Sequence, residues 1–569
     1  MAGGWGVFPD TEPYAIVRSV FVPVLVSLVL MVSSSAQDLA DVIYAGGQIW
    51  TGVPGVPLAE DLAVAGEKIV AAGSHDQIEN FRGPDTRLVD LKGRFVVPGL
   101  IDTHTHFLRA GLEMAAIDLR EASNPEEFIA TVRQYAQNLP AGGWITGGDW
   151  DHERWGGELP RRSWIDSVTA DIPLFVTRLD GHMALANSRA MELAGIDRRT
   201  PDPPGGLIVR DRTTKEPTGI LKETAMSLVR SVIPDPDEKA LDEALKRAMD
   251  FAVSKGITQI HDMGVWRDLE TYRRARERNG LNIRIYAFIW YTDWERLIAF
   301  MEKNGRGDDW LRWGGIKAIL DGSLGSGTAW MYRPYLDDPT TAGMVVLEDT
   351  VGLKKLIAAA DDARLQLAIH AIGDRANDWV LNAYESQIRT GAERDRRFRI
   401  EHAQHLTPRA VERFGPLGVI ASMQPYHAID DGRWAGKRVP DEVLKTSYAF
   451  RSLLDARAVV SFGSDWNVAP LDPLKGIYAA VTRRTLDGKH PRGWYPEQKI
   501  SVEEALRAYT WAGAYAGFQE KRVGTLEAGK LADFVVLSEN LFDIDPSAIG
   551  DVRVVRTVVG GRDRYVAGD

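Results

Sequence analysis

Several polar residues in this 569-residue chain close short apolar runs, where a parallel barrel would carry its chemistry. His104 and His106, in Asp102-Thr103-His104-Thr105-His106, lie two apart. An extended backbone turns both imidazoles to one side, where they can clamp an ion. Lys317 stands between Ile316 and Ala318, His370 ends Leu365–His370, Glu401-His402 ends Phe398–His402, and Asp465 follows Val459–Gly463. The chain has no cysteine, so thiolate nucleophiles, disulfides and Cys-bound zinc are excluded, and any metal must rest on His, carboxylate or a lysine derivative. Lys317 is the most telling of these. An unpaired ammonium inside a barrel costs several kcal/mol, so Lys317 requires either a carboxylate such as Asp321 or conversion by CO₂ to a carbamate able to bridge two cations. The chemistry these residue types support is hydrolysis by a metal-activated hydroxide at one or two divalent ions, Zn²⁺ foremost.

Such residues converge only if the intervening chain brings their strands together. Candidate strands are Phe95–Ile101, Thr258–His261, Ile283–Ile289, Gly315–Leu320, Leu365–His370, Phe398–His402, Val419–Met423 and Val459–Gly463, alternating with amphipathic helices. That alternation predicts an α/β fold, a TIM (β/α)8 barrel over 98–519. Before the second strand, Leu241, Ala244, Leu245, Ala248, Met249 and Ala252 form a helical stripe, entered through Asp235–Asp237 and stopped by Gly256. Residues of about 110–235 carry extra strand-like pieces at Trp144–Thr146, Leu174–Thr177 and Gly206–Val209 and read as an insertion near the barrel mouth. Short alternating segments at 37–97 and 520–569 are too few at either end to close a core, so the two ends are expected to pair into one small β-sandwich.

Before that sandwich, Arg18 precedes the apolar run Ser19–Val32, which is short for a bilayer span and is followed by Ser34-Ser35-Ala36. This pattern predicts a signal peptide over 1–36, export to the periplasm or medium, and no stable membrane span after its removal. N-terminal sequencing of protein from the native host is expected to return Gln37; an intact Met1 in the membrane fraction would show an anchor instead. A formal charge of −11 argues against nucleic-acid binding, which normally shows a basic surface. The expected partner is a small-molecule amide, with a homo-oligomer open.

The run Val97–His106, the closing Gly524–Phe534, and the strand-end order His-x-His, Lys, His, His, Asp resemble the amidohydrolase superfamily. Asp180-Gly181-His182 with Asn187-Ser188, Asp321-Gly322-Ser323 after Lys317, Gln424-Pro425-Tyr426-His427, and Gly463-Ser464-Asp465 with Asp472-Pro473 are similar to its family 3, typified by N-substituted formamide deformylase. The resemblance covers essentially all of the chain after the apolar segment. It implies that His104, His106 and Asp465 hold one metal, that His370 and His402 hold a second, and that carboxylated Lys317 bridges them. It also implies hydrolysis of a carbon–nitrogen bond other than a peptide bond, with Asp465 as proton shuttle.

His182 and His427 are candidates for binding the substrate or the oxyanion. His261, beside Asp262, is expected as a buried structural pair, with support of a metal ligand from behind as the alternative, and Trp150, Trp155 and Trp330 as cavity lining or lid packing. His75, His152, His405 and His490 receive no role. The same ligands would also serve ester or phosphotriester hydrolysis or an isomerase, and a non-catalytic binding protein on a barrel scaffold is the remaining alternative.

Overall fold

The computed structural model describes residues 39–139, 143–169, 171–347 and 350–568; the expected signal peptide lies outside them. Among the described residues no helix is long and apolar enough to cross a membrane.

An eight-stranded parallel sheet forms the centre. Its strands are β1 (Leu100–Thr105), β2 (Ile257–Gly264), β3 (Arg284–Trp290), β4 (Leu311–Ile319), β5 (Gln366–Ala371), β6 (Arg399–His402), β7 (Ile420–Met423) and β8 (Val460–Phe462), hydrogen-bonded in chain order. Closure between β8 and β1 runs through the residues just past them. Thr105 bridges Trp466, Asp465 N–H donates to His104 O and His106 N–H to Trp466 O at 2.7 Å each, and Thr103 Oγ1 donates to Phe462 O at 3.0 Å. The ring is therefore tied shut at the two segments that carry His104, His106 and Asp465. The predicted helix before β2 spans Glu238–Ser254, with Asp237 as its N-cap and every residue of the expected stripe buried.

One expected strand is corrected. Phe95–Ile101 is divided at Gly99: Phe95–Pro98 joins another sheet, and β1 begins at Leu100. A Cβ on Gly99 would lie 2.2 Å from Thr258 Oγ1, so only glycine lets the chain pass from one sheet to the other. Phe95–Pro98 pairs with Gln48–Ile49 and with Phe534–Leu537, followed by Val554–Val559 and Arg562–Val566, so this five-stranded sheet mixes the two chain ends. It shares a core of Tyr44, Leu62, Val64, Phe534 and Val558 with a four-stranded sheet of Ala40–Ala45, Asp61–Ala65, Lys68–Gly73 and Arg82–Asp90. Asp533, from the closing motif, accepts from Arg284 of β3 at 2.6 and 2.9 Å. Both residues are buried, which fixes the sandwich sheet to the barrel.

The insertion carries a six-stranded sheet of its own, including Ile145–Trp150, Leu174–Arg178, Met183–Ala186, Gly206–Arg210 and Pro217–Glu223. Phe128, Trp150, Ile165 and Leu185 form part of its separate core. Arg120, at its start, donates to Val468 O at 2.8 Å and to Asn467 O, holding the insertion against the loop that follows β8.

Candidate metal centre

His104, His402 and Asp465 present ligand atoms within 4.8 Å of one another, and all are buried. His104 Nδ1 meets Glu401 Oε2 in a short hydrogen bond, which fixes the tautomer and leaves Nε2 as an acceptor toward the group. Lys317 Nζ lies 3.4 Å from that Nε2. His402 Nδ1 donates to Gln424 Oε1 at 2.8 Å, so its Nε2 is likewise left free. Asp465 Oδ1 is 3.2 Å from His106 Nε2 and 3.5 Å from His104 Nε2, yet it is buried and accepts no well-directed hydrogen bond. A buried oxygen facing nitrogens whose lone pairs point inward is what a cation resolves, so these residues fit a divalent ion. Burial also pushes the His370 and His402 imidazolium forms well below their ordinary range, Lys317 is among the causes for both, and His182 adds to the shift on His370 and His370 to that on His402. Both are therefore neutral, the ligating form.

The backbone is shaped to the task. Asp465 (φ 61) and the successive pair His402 and Ala403 (φ 73 and 44) occupy the left-handed region, a strained choice for residues other than glycine that clusters at functional sites. Asp102 Oδ1 accepts from Ser464 N–H at 2.9 Å and His104 N–H at 3.1 Å, pinning the turn before Asp465. Gly463 is required there because a Cβ would sit 2.5 Å from His104 N.

The tight group takes one histidine from each of the two implied ion positions. His106 stands at the edge with its side chain 28% exposed. His370 packs its ring 4.4 Å from that of His402, but its Nε2 is turned to Gly322 O at 3.1 Å. Asp321 is not Lys317's partner: it accepts from the N–H groups of Ile372, Gly373 and Trp330 at 3.0, 2.8 and 2.8 Å. Lys317 therefore has no carboxylate in ion-pair contact among the described residues. Burial drives its ammonium down to about 8 against the pull of Glu401 and Asp465.

His106, Lys317, His370, His402 and Asp465 line a cavity of about 100 Å³, together with His182 and His427. Glu223 holds His182 Nδ1 at 2.9 Å. Burial works against the imidazolium, but Glu223, with Asp180 and Asp321, outweighs it and raises His182 to about 9. His427 stacks parallel to His402 at 6.4 Å, burial lowers its pKa, and its Nε2 is buried with no partner among the described residues.

Several expectations change. His261 and Asp262 do not pair, because neighbours on a strand face opposite ways: His261 Nδ1 accepts from Arg399 at 3.0 Å, while Asp262 receives Phe107 N–H and Tyr272 Oη. Trp150 is fully buried and donates to Val176 O, Trp155 packs on Phe128, and Trp330 lies under Arg375. None lines the cavity, where Trp434 stands instead. Glu401 with Arg399, Gln424 and Glu223 orient the site histidines and received no role from the sequence. The signal for the first two was Arg399-x-Glu401 in a buried strand, two charges at the period that puts them on one face. They pair at 2.7 Å with no exposure.

A profile described as the amidohydrolase family matches residues 87–565. Protein LONG AFTER FAR-RED 3 of Arabidopsis thaliana is 40% identical over 99% of this chain and all of its own length. The N-substituted formamide deformylase of Arthrobacter pascens is 30% identical over 89% of this chain and 95% of its own. An uncharacterized metal-dependent hydrolase from Pyrococcus horikoshii superposes with a TM-score of 0.72 at 28% identity, covering 89% of this chain and 99% of that one. A match of that length places the chain in the amidohydrolase family, and it is accordingly a metal-dependent hydrolase of small molecules.

Proposed function

We propose that the protein hydrolyses the carbon–nitrogen bond of a small N-substituted amide or formamide. The observation that carries this reading is the buried, unpartnered Asp465 Oδ1 facing His104 and His402 at the barrel mouth, and the 30% identity to an N-substituted formamide deformylase supports the bond type. His104, His106 and Asp465 would hold one divalent ion, His370 and His402 a second, and carboxylated Lys317 would bridge them. Zn²⁺ suits a set of histidines and carboxylates. Divalent ions there would lower the pKa of a water and polarise the carbonyl it attacks.

The chain's own groups supply the rest. Asp465 takes the proton of the attacking water and passes it to the leaving nitrogen. His182, protonated against Glu223, donates a hydrogen bond to the oxygen that gains charge, and His427 Nε2, without a partner among the described residues, orients the substrate. Glu401 and Gln424 hold His104 and His402 in the tautomers a metal requires. The Ser19–Val32 segment makes export part of the same reading.

Metal analysis of the purified protein, alongside turnover of a panel of N-acyl and N-formyl amines, esters and phosphotriesters, tests the proposal. Stoichiometric divalent metal with turnover of the formyl or acyl amines is expected. Turnover confined to the phosphotriesters, or protein that binds no divalent ion, would overturn it.

A further inference from the structure

On that reading of the site, one part of the cavity wall bears on which amides are taken. That wall includes Gln404, just past the left-handed pair that ends β6, and Asp431, the last residue of the helix Pro425–Asp431. Gln404 is 2% exposed, and its amide is oriented by a chain of hydrogen bonds. Ser447 Oγ donates to Val443 O at 2.8 Å, so it accepts from His405 Nδ1 at 2.6 Å. His405 Nε2 is thereby an acceptor and takes one hydrogen of Gln404 Nε2 at 3.2 Å. The other goes to Asp431 Oδ2 at 3.0 Å. Both amide hydrogens are committed, and Gln404 Oε1 accepts nothing from the described residues.

Asp431 is in a similar position. Its Oδ2 also accepts from Tyr448 Oη at 2.6 Å, whereas its Oδ1 has no partner and no cation is paired with it among the described residues. The guanidiniums nearby are already shared: Arg433 serves Asp151 and Asp430, and Arg178 serves Asp151 and Asp180. Apart from Asp465 and Lys317, the cavity lining carries four carboxylates (Asp151, Asp180, Asp430, Asp431) against those two arginines and the protonated His182. Burial, with the neighbouring Asp430, raises the Asp431 carboxyl to about 7 against the pull of the Tyr448 hydrogen bond and of the more distant Arg178 and Arg433.

We infer that Gln404 Oε1 and Asp431 Oδ1 form an acceptor pair that binds a protonated amine of the substrate. The preferred substrates are then monoacylated diamines and related amides that carry an ammonium group a short spacer from the scissile bond. The helix sets the spacing. His427, which stacks on His402, and Asp431 are four residues apart and share one face, roughly 6 Å apart along the axis. A neutral alkyl group at that wall would bury both acceptors unsatisfied, whereas an ammonium makes charge-assisted bonds to them.

Calorimetry on the metal-loaded protein with two non-hydrolysable probes tests the inference: the mono-methanesulfonamide of propane diamine and its neutral isostere, the methanesulfonamide of butylamine. The ammonium probe is expected to bind on the order of tenfold or more tightly, and Asp431→Asn should bring the two affinities together. Equal affinities in the unsubstituted protein, or no detectable binding of the ammonium probe, would overturn the subsite. Turnover of the corresponding formamides is measured in parallel. Failure to cleave either one counts against the amide reading, while the calorimetric comparison still decides the subsite.

Discussion

Replacing Lys317 with alanine is expected to remove most of the bound metal and to lower amide hydrolysis by a factor on the order of 10² or more, a larger effect than losing an outer partner of a metal ligand. The surroundings of the amine are the reason. Lys317 is 1% exposed, its Nζ reaches only a histidine nitrogen at 3.4 Å, and Asp321, the carboxylate expected to neutralise it, is saturated by three backbone N–H groups. A bare ammonium is costly there. Burial brings the amine down to about 8, so a larger share is neutral near physiological pH than for an exposed lysine. The neutral amine is the form that CO₂ converts to a carbamate, and the resulting anion would supply the negative charge the clustered histidines lack. Protein prepared with ¹³C-bicarbonate should show a carbamate carbon signal that strengthens as pH rises through about 8, and short carboxylic acids should partly rescue Lys317→Ala. A bare amine at full metal load would instead assign a mononuclear site on His104, His106, His370 and Asp465.

The barrel was legible because its strands are buried on both faces and so read as apolar runs, while the chemistry sits where those runs end in His or Asp. The spacing of His104 and His106 and the polar closure of Leu365–His370 and Phe398–His402 needed no knowledge of distant partners. The division of Phe95–Ile101 did need it. Phe95, Val96, Val97, Leu100 and Ile101 are all buried, and an apolar run keeps the same appearance whether it serves one sheet or two. Only the contact between Gly99 and Thr258, far along the chain, marks the break.

Residues that orient the site were hidden for the same reason. Glu401 holds His104 from 297 positions away, and Glu223 holds His182 from 41. A carboxylate's partner across such separations is set by the packing of whole elements, not by local spacing. His405 shows the converse. As a lone polar residue past a strand it had no assignable role, yet between Ser447 and Gln404 it determines which face of an amide the cavity meets.

Asp465→Asn is expected to retain part of the metal through its histidine partners yet to lose amide hydrolysis by a factor on the order of 10² or more, the usual scale for a lost general acid–base. An amide resists hydrolysis largely because an amine anion leaves poorly, so activating the water is insufficient without a proton delivered to nitrogen. The geometry leaves few carriers. His104 Nδ1 is engaged by Glu401 and His402 Nδ1 by Gln424, which leaves each ring only the nitrogen that would hold a metal. Asp465 has two oxygens, and Oδ1 is without a well-directed hydrogen bond. His104, His106 and His402 outweigh burial and hold its carboxyl well below the ordinary range, so it begins the reaction as a base. Asparagine preserves the shape and can still ligate through its carbonyl but cannot accept and return a proton. Activated esters, whose leaving groups need little protonation, should therefore suffer less than amides in the same variant. The comparison is made on one preparation with metal content measured alongside. Equal losses on amides and activated esters at unchanged metal would take the shuttle role from Asp465 and move it to His182, protonated against Glu223, or to His427, whose Nε2 has no partner among the described residues.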